Sequence, residues 1–331
     1  MKKYFLIITI LLFVQFVNAQ RIQILTDSSS VSLRGLSVVN DAILWVSGSK
    51  GTVGKSIDGG KTWKWITVKG FESTDFRDVE AFSSKEAIIM GVGEPAYILR
   101  TVDGGQNWHV VFDDKTKGMF LDAMEFWDSK NGIVIGDPIN QRFFMARTSD
   151  GGKTWKPLSE KNKSVAENGE YFFASSGTNI RRFNKLESVF VTGGLTSHLF
   201  IGDRKLKLPI LQGRESTGAN SIGVKNRKTM VVVGGDYTRK NDTLQNCVMT
   251  YDGGMTWVSP EKSPTGYRSC VEYLQKNKWI TCGLNGVDIS NDNGRNWVTI
   301  SPDSFHVCRK AKKGKAVYFA GNNGRIGKLL N

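Results

Sequence analysis

Histidine is nearly absent. His109, His198 and His306 are the only three in 331 residues, scattered far apart, so a multi-histidine metal site is not expected. Proline is scarce at 7 residues, and no proline- or serine-rich stretch marks a linker to a second domain. The 4 cysteines, Cys247, Cys270, Cys282 and Cys308, all lie in the last third, and their spacing is neither a zinc pattern nor CxxC. No glycine fingerprint joins a strand to a helix, and there is no haem or flavin signature, so neither a cofactor nor oxidoreductase chemistry is expected. No nucleophile elbow or Ser-His-Asp pattern occurs. No basic stripe interleaved with aromatics points to nucleic acid. After residue 20 no segment is apolar enough to cross a bilayer, and long helical periodicity is missing.

What is present begins with an export signal. Lys2 and Lys3 precede an apolar run from Tyr4 to Val17, and Val17-Asn18-Ala19 supplies small residues for cleavage. Residues 1–19 read as a cleaved signal peptide and residues 20–331 as the mature domain, periplasmic or extracellular. Gln20 rather than a cysteine follows the cut, which argues against a lipid anchor. The net charge is +14, or +12 without Lys2 and Lys3, and this suits an anionic partner or simple solubility. The densest basic run, Arg309 to Lys315, falls where a hairpin turn is expected.

A repeat organises the rest. Ser56-Ile-Asp58-Gly59-Gly60-Lys-Thr62-Trp63 returns around Asp103, Asp150, Asp252 and, more loosely, Asp292, with spacings of 45, 47, 102 and 40 residues. The long gap is two periods with one copy lost. Asp can accept backbone N–H groups across a tight turn, Gly supplies positive φ, Thr or Asn caps the turn, and Trp anchors it in apolar space. These five aspartates therefore read as structural. Upstream of each turn a short apolar strand ends at a glycine: Gly48, Gly91, Gly136, Gly193, Gly234, Gly283 and Gly321. Seven such glycines and four strands per period imply an all-β, seven-bladed propeller of four-stranded antiparallel blades. The last repeat stops after its third strand. Arg21 to Leu25 is expected to supply the fourth and close the ring, which removes an exposed edge.

The SxDGGxTW copies resemble Asp-box (BNR) repeats, and the whole chain from residue 21 is similar to the Ycf48/HCF136-like propellers. Gly136-Asp137-Pro138, Ala174-Ser-Ser-Gly177-Thr178, Gly234-Gly235-Asp236-Tyr237, Gly266-Tyr267-Arg268-Ser269 and Phe305-His306-Val307-Cys308 look characteristic of a bacterial, non-photosynthetic branch. The resemblance implies a binding or assembly factor. Sialidases share the Asp box, but they carry an Arg-Ile-Pro motif where this chain has Arg21-Ile22-Gln23.

A binding site is expected at the mouth of the central channel, on the face opposite the Asp boxes. Counting back from the closing glycines places Arg34, Arg77, Asp78, Asp122, Asn179, Asn220, Arg268 with Ser269, and His306 at the starts of the inner strands. Just after the glycines come Glu94, Asp137, Asp236 and Tyr237. Convergent polar groups on a rigid scaffold suit a ligand. Three arginines suit a carboxylate or phosphate. The reading is a monomeric binding factor for an envelope or secreted protein or an anionic glycan. The alternative is an enzyme, a glycoside hydrolase or lyase acting on an acidic sugar, with its acid and base among Glu94, Asp122, Asp137 and Asp236. Cys270 and Cys282 face each other across one expected hairpin, where a bridge and a pair of buried thiols both remain open.

Overall fold

The computed structural model describes residues 20–27, 29–184 and 187–330, and the expected signal peptide lies outside the described residues. Seven antiparallel sheets follow one another round a ring. Blade 1 comprises Leu33–Val38, Leu44–Gly48, Thr52–Ser56 and Lys64–Thr67. Blade 2 runs from Asp75–Ala81 to His109–Asp114, and blade 3 from Leu121–Phe126 to Lys156–Pro157. Blade 4 runs from Ile180–Arg182 to Arg204–Lys207, and blade 6 from Cys270–Gln275 to Val298–Ser301. Strands are lettered A to D from the channel outwards. The apolar runs noted in the sequence become the buried B and C strands, such as Met230–Asp236 of blade 5, and pack between neighbouring blades.

Blade 7 joins the two ends of the chain. Val307–Lys310, Val317–Ala320 and Ile326–Leu330 pair in order, and Arg21–Thr26 adds the outer strand with Arg21 opposite Leu330. One apolar cluster runs through blades 6, 7 and 1, from Ile280 and Phe305 to Leu33 and Val46.

Each Asp box forms the same turn. In the first, the Ser56 hydroxyl and the Thr62 hydroxyl both donate to Asp58, at 2.8 and 2.6 Å, and the Thr62 N–H donates to it at 2.9 Å. The Gly59 N–H then donates to Ala42 O in the A–B turn of the same blade. Gly104, Gly151 and Gly253 do likewise to Lys85, Lys130 and Lys228. This puts the A–B and C–D turns together on one face, called the lower face below. Blade 4, which lost its Asp box, replaces it with a two-residue turn at Gly202-Asp203, where Gly202 has φ +55° and Ile201 pairs with Arg204. Blade 5 departs from four regular strands. Its outer strand is reduced to a bridge between Met249 and Val258, and its inner edge is extended by Gly193–Gly194 and Glu170–Tyr171.

The closing glycines have a steric cause. A Cβ at Gly48 would lie 2.2 Å from Ser32 O, and one at Gly136 would lie 2.4 Å from Phe120 O. Strand A bulges at that level, so that its backbone crowds strand B. Leu33 pairs with Gly48 and Gly35 with Ser47, which leaves Arg34 as the extra residue. Arg77, Asp122 and Asn220 occupy the same bulge in blades 2, 3 and 5.

Candidate functional site

The bulges create a ring. In blade 6, Ser269 N–H donates to Cys282 O while Cys270 pairs with the same residue, and in blade 7 His306 and Val307 both meet Ala320. With Asn179 of blade 4, each blade contributes one polar residue at the upper end of strand A: Arg34, Arg77, Asp122, Asn179, Asn220, Ser269 and His306. A β-bulge re-aims a side chain that a regular strand would send into the sheet packing.

The channel below this ring is filled by the chain itself. The segment Ala174 to Gly177, leading into blade 4, crosses the axis. Ser175 O accepts from Arg34 Nη1 at 3.4 Å, and its hydroxyl meets Asn220 Oδ1 at 3.2 Å and the Tyr267 hydroxyl at 3.4 Å. The Ser176 hydroxyl donates to Ser269 O at 2.7 Å, and Gly177 O accepts from Arg309 at 2.9 Å. Gly177 is required there, because a Cβ would fall 2.4 Å from the Asp78 carboxyl carbon. The plug meets the channel wall through the Ser175 and Ser176 hydroxyls and backbone carbonyls, which is why polar residues line a channel that is nevertheless closed.

The expected site residues divide into two groups. Arg34, Arg77, Asp122, Asp137 and His306 share the upper face and feel one another's charge. Arg77 pairs with Asp75 at 2.8 Å and lies over the Phe120 ring. Burial and the neighbouring Arg77 lower the Arg34 pKa. Asp122 is wholly buried with neither oxygen in a well-formed hydrogen bond, and burial together with Asp137 pushes its pKa well up. Burial raises Asp137 to about 6, although it accepts the Phe172 N–H at 3.0 Å. Burial, with Arg34 next, lowers His306 to about 4, so it is neutral at pH 7. Its Nε2 contacts Asn322 Oδ1 at 2.9 Å and Ser32 Oγ at 3.3 Å. Tyr237 is 44% exposed and packs edge-on to Phe173 and Tyr267.

The second group makes other contacts. Arg268 is fully buried in an ion pair with Asp288 inside blade 6, and it also donates to Tyr267 O. Asp78 turns inward and accepts the N–H groups of Val79 and Met124, which pins blade 2 to blade 3. Asp236 holds the loop after its strand by accepting the Thr238 N–H and hydroxyl. Glu94 is exposed and accepts the Gly118 N–H.

An opening missed by the sequence reading lies on the lower face. A cavity of about 690 Å³ occupies the axis at the far ends of the A strands. Glu80, Glu125, Arg181, Glu272, Arg309 and Lys312 line it. Arg181 pairs with Glu272 at 2.9 Å and Lys312 with Glu80 at 2.5 Å. Burial raises Glu272 to about 7 against the opposing pull of Arg181. A signal existed: the residues three places after the ring positions are Ser37, Glu80, Glu125, Arg182, Gly223, Glu272 and Arg309, mostly charged. Of the basic run, Arg309 and Lys310 end strand A of blade 7 and residues 311–315 form the adjoining A–B turn, where Asp41 of blade 1 accepts the Lys315 and Ala316 N–H groups at 2.9 Å.

Comparison with known proteins agrees with this architecture. A family model described as photosynthesis system II assembly factor YCF48 matches residues 18–119. The solved structure of YCF48 bound to D1 peptide is 17% identical, covering 96% of this chain and 98% of that one, with a TM-score of 0.67. YCF48 from Cyanidioschyzon merolae is 16% identical over 93% and 98% of the two chains, with a TM-score of 0.66. The Neurospora crassa Pan2 WD40 domain, 12% identical over 90% and 89%, reaches 0.62. No curated protein matches the chain. Seven blades closed by the N-terminal strand, five of them carrying an Asp box, make this chain a seven-bladed β-propeller, and its residues 18–119, which span the closing strand with blades 1 and 2, are similar to the YCF48 family model.

Proposed function

We propose that this chain is an exported, non-catalytic binding factor of a bacterial envelope that holds an acidic segment of another protein against its upper face. The observation that carries this reading is the pair Arg34 and Arg77. Arg34 makes one long hydrogen bond, at 3.4 Å, and only Arg77 has a close carboxylate. A guanidinium fork in a partly buried setting favours a bidentate carboxylate partner. Tyr237, exposed and backed by Phe173 and Tyr267, adds an aromatic anchor of the kind enriched at protein interfaces. The structure of YCF48 with a D1 peptide supports the idea that a propeller of this fold can hold a polypeptide segment.

The test is cross-linked capture from the native envelope with the mature chain and with an Arg34→Ala/Arg77→Ala variant. Arg268 is left intact, because its loss would destabilise blade 6 rather than report on binding. The reading expects a protein captured by the wild type and lost, by at least about tenfold, in the variant. Equal capture by both would move the binding surface elsewhere.

The enzyme reading keeps one observation in its favour: Asp137 is held at about 6 beside the buried Asp122, an arrangement that can supply a general acid. Turnover of a uronate- or sialate-containing glycan that disappears in Asp137→Asn would replace the binding reading with this one.

A further inference from the structure

Three of the four cysteines meet. Cys270 on strand A of blade 6, Cys282 opposite it on strand B, and Cys308 on strand A of blade 7 place their sulfurs within 4.8 Å of one another. The Cys270 and Cys308 sulfurs are 3.6 Å apart. All three residues have no exposure to solvent, and they lie in the apolar cluster that includes Ile280, Val287 and Phe305. The sequence pairs Cys270 with Cys282 across one hairpin, but nothing in it announces Cys308, which the fold brings in from the next blade.

We propose that these three thiols form a binding site for monovalent copper. Soft thiolates select soft ions, and copper(I), zinc and iron–sulfur clusters are the candidates. Metal–sulfur bonds of about 2.3 Å place three sulfurs roughly 4 Å apart in a trigonal set, within reach of the observed separations. Structural zinc takes four protein ligands, and catalytic zinc takes three and a water. Among the described residues no histidine or carboxylate joins this group, and the pocket is too deeply buried to offer a water. Three-coordinate copper(I) needs no fourth donor.

A second observation points to an anionic occupant. Arg181, nine-tenths buried, reaches across the channel and gives Nη2 to Glu272 at 2.9 Å. Its Nη1 is a buried donor with no hydrogen-bond acceptor among the described residues. Its charge acts on Cys270 and Cys308, and that of Arg268 acts on Cys282. The Cys308 N–H also points to the Cys270 sulfur at 3.3 Å. Copper(I) with three thiolates carries a net charge of −2, opposite in sign to the Arg181 and Arg268 guanidinium groups, each of which is paired with one carboxylate. Binding releases one proton from each thiol that was not already ionised, and the metal does not change oxidation state. Glu272 and Arg309, both on the wall of the lower cavity, stand two residues after Cys270 and one after Cys308.

The experiment uses the mature chain, reduced and kept free of oxygen. It is titrated with copper(I) against bathocuproine disulfonate, once as folded protein and once after refolding with the ion present. One copper per chain is expected in at least the refolded sample, with sulfur-to-copper charge transfer in the near ultraviolet. X-ray absorption should show three sulfur neighbours at about 2.3 Å. Cys282→Ser and Cys308→Ser are made in parallel, so that a folding failure in one leaves the other to report. Each should weaken retention by more than the roughly 10–100-fold that loss of a mere outer partner costs. Cys247→Ser, whose sulfur is outside the group, should retain copper fully. The proposal is overturned if neither preparation retains copper, if the Cys282 and Cys308 variants retain it equally, or if zinc displaces it. A bridge between two of the three cysteines in the protein isolated without reductant would also overturn it.

Discussion

Two sets of carboxylates in this molecule respond to their surroundings in opposite directions. Those of the Asp boxes sit in solvent-facing turns. The Thr62 and Thr256 hydroxyls and backbone N–H groups hold Asp58 and Asp252 down at about 2. At Asp150 slight burial opposes the shift, and the Thr154 hydroxyl and N–H still bring it to about 2. Those of the channel are shifted up by burial: Asp137 to about 6, Glu272 to about 7, and Asp122 well above its ordinary value. The repeated aspartates, which stand out in the sequence, are turn clamps that stay ionised at any physiological pH. The channel carboxylates sit at register positions that the repeat fixes, but the residue type there changes from blade to blade. Recurrence in a propeller marks what each blade needs to fold, and departure from recurrence marks what the ring as a whole can do.

The comparison can be tested from its buried side first. Arg268→Met would leave Asp288 buried without its partner, at a cost of about 3–5 kcal/mol in denaturant unfolding. A loss under about 1 kcal/mol would show that blade 6 relaxes enough to hydrate the acid.

A smaller effect is expected at Asp137. Its folded pKa lies above the ordinary aspartate value, so its stabilising contribution is complete below about pH 4 and is lost as pH rises through about 6. Asp137→Asn should flatten that part of the stability profile, worth on the order of 1–2 kcal/mol after allowance for its partial exposure. Thermal unfolding between pH 4 and 7 reads this directly, and an unchanged slope would remove Asp137 from the titrating set.

The smallest effect belongs to a single Asp box. Asp150→Ala should cost about 1 kcal/mol at pH 7 through its lost hydrogen bonds. The sign is opposite to that of Asp137. The Asp150 contribution is present above about pH 4 and fades as pH falls through 2, so the variant should differ least from wild type in acid.

Much of the fold was legible because its cause is local. The DGG turns, the closing glycines and the orphaned third strand of blade 7 each follow from sterics or hydrogen bonding within a few residues. The ring of polar residues was legible too, since the bulge that projects Arg34 or Asp122 is what forces glycine on the facing strand. What escaped depends on partners far apart in the chain. Arg268 was placed at the mouth because its strand starts there, but Asp288, 20 residues later, draws it into the sheet. Arg181 and Glu272 meet across the channel from 91 residues apart. The plug at Ala174–Gly177 was visible as a distinctive segment, yet no pattern within it says that it touches five other blades.

Blade 7 has a consequence for the order of events in the life of the chain. Among the described residues Arg21–Thr26 is the first strand to be made, and its partner Ile326–Leu330 is the last. At a synthesis rate of about 5–20 residues per second, the first strand waits some tens of seconds for the other end. Until then two strand edges face outward, and the final contact is also the one most distant in sequence, hence slow to form. A chain that emerges gradually from its N-terminus therefore cannot complete its ring until Ile326–Leu330 is free. Premature termination or clipping near either end leaves the same open circle.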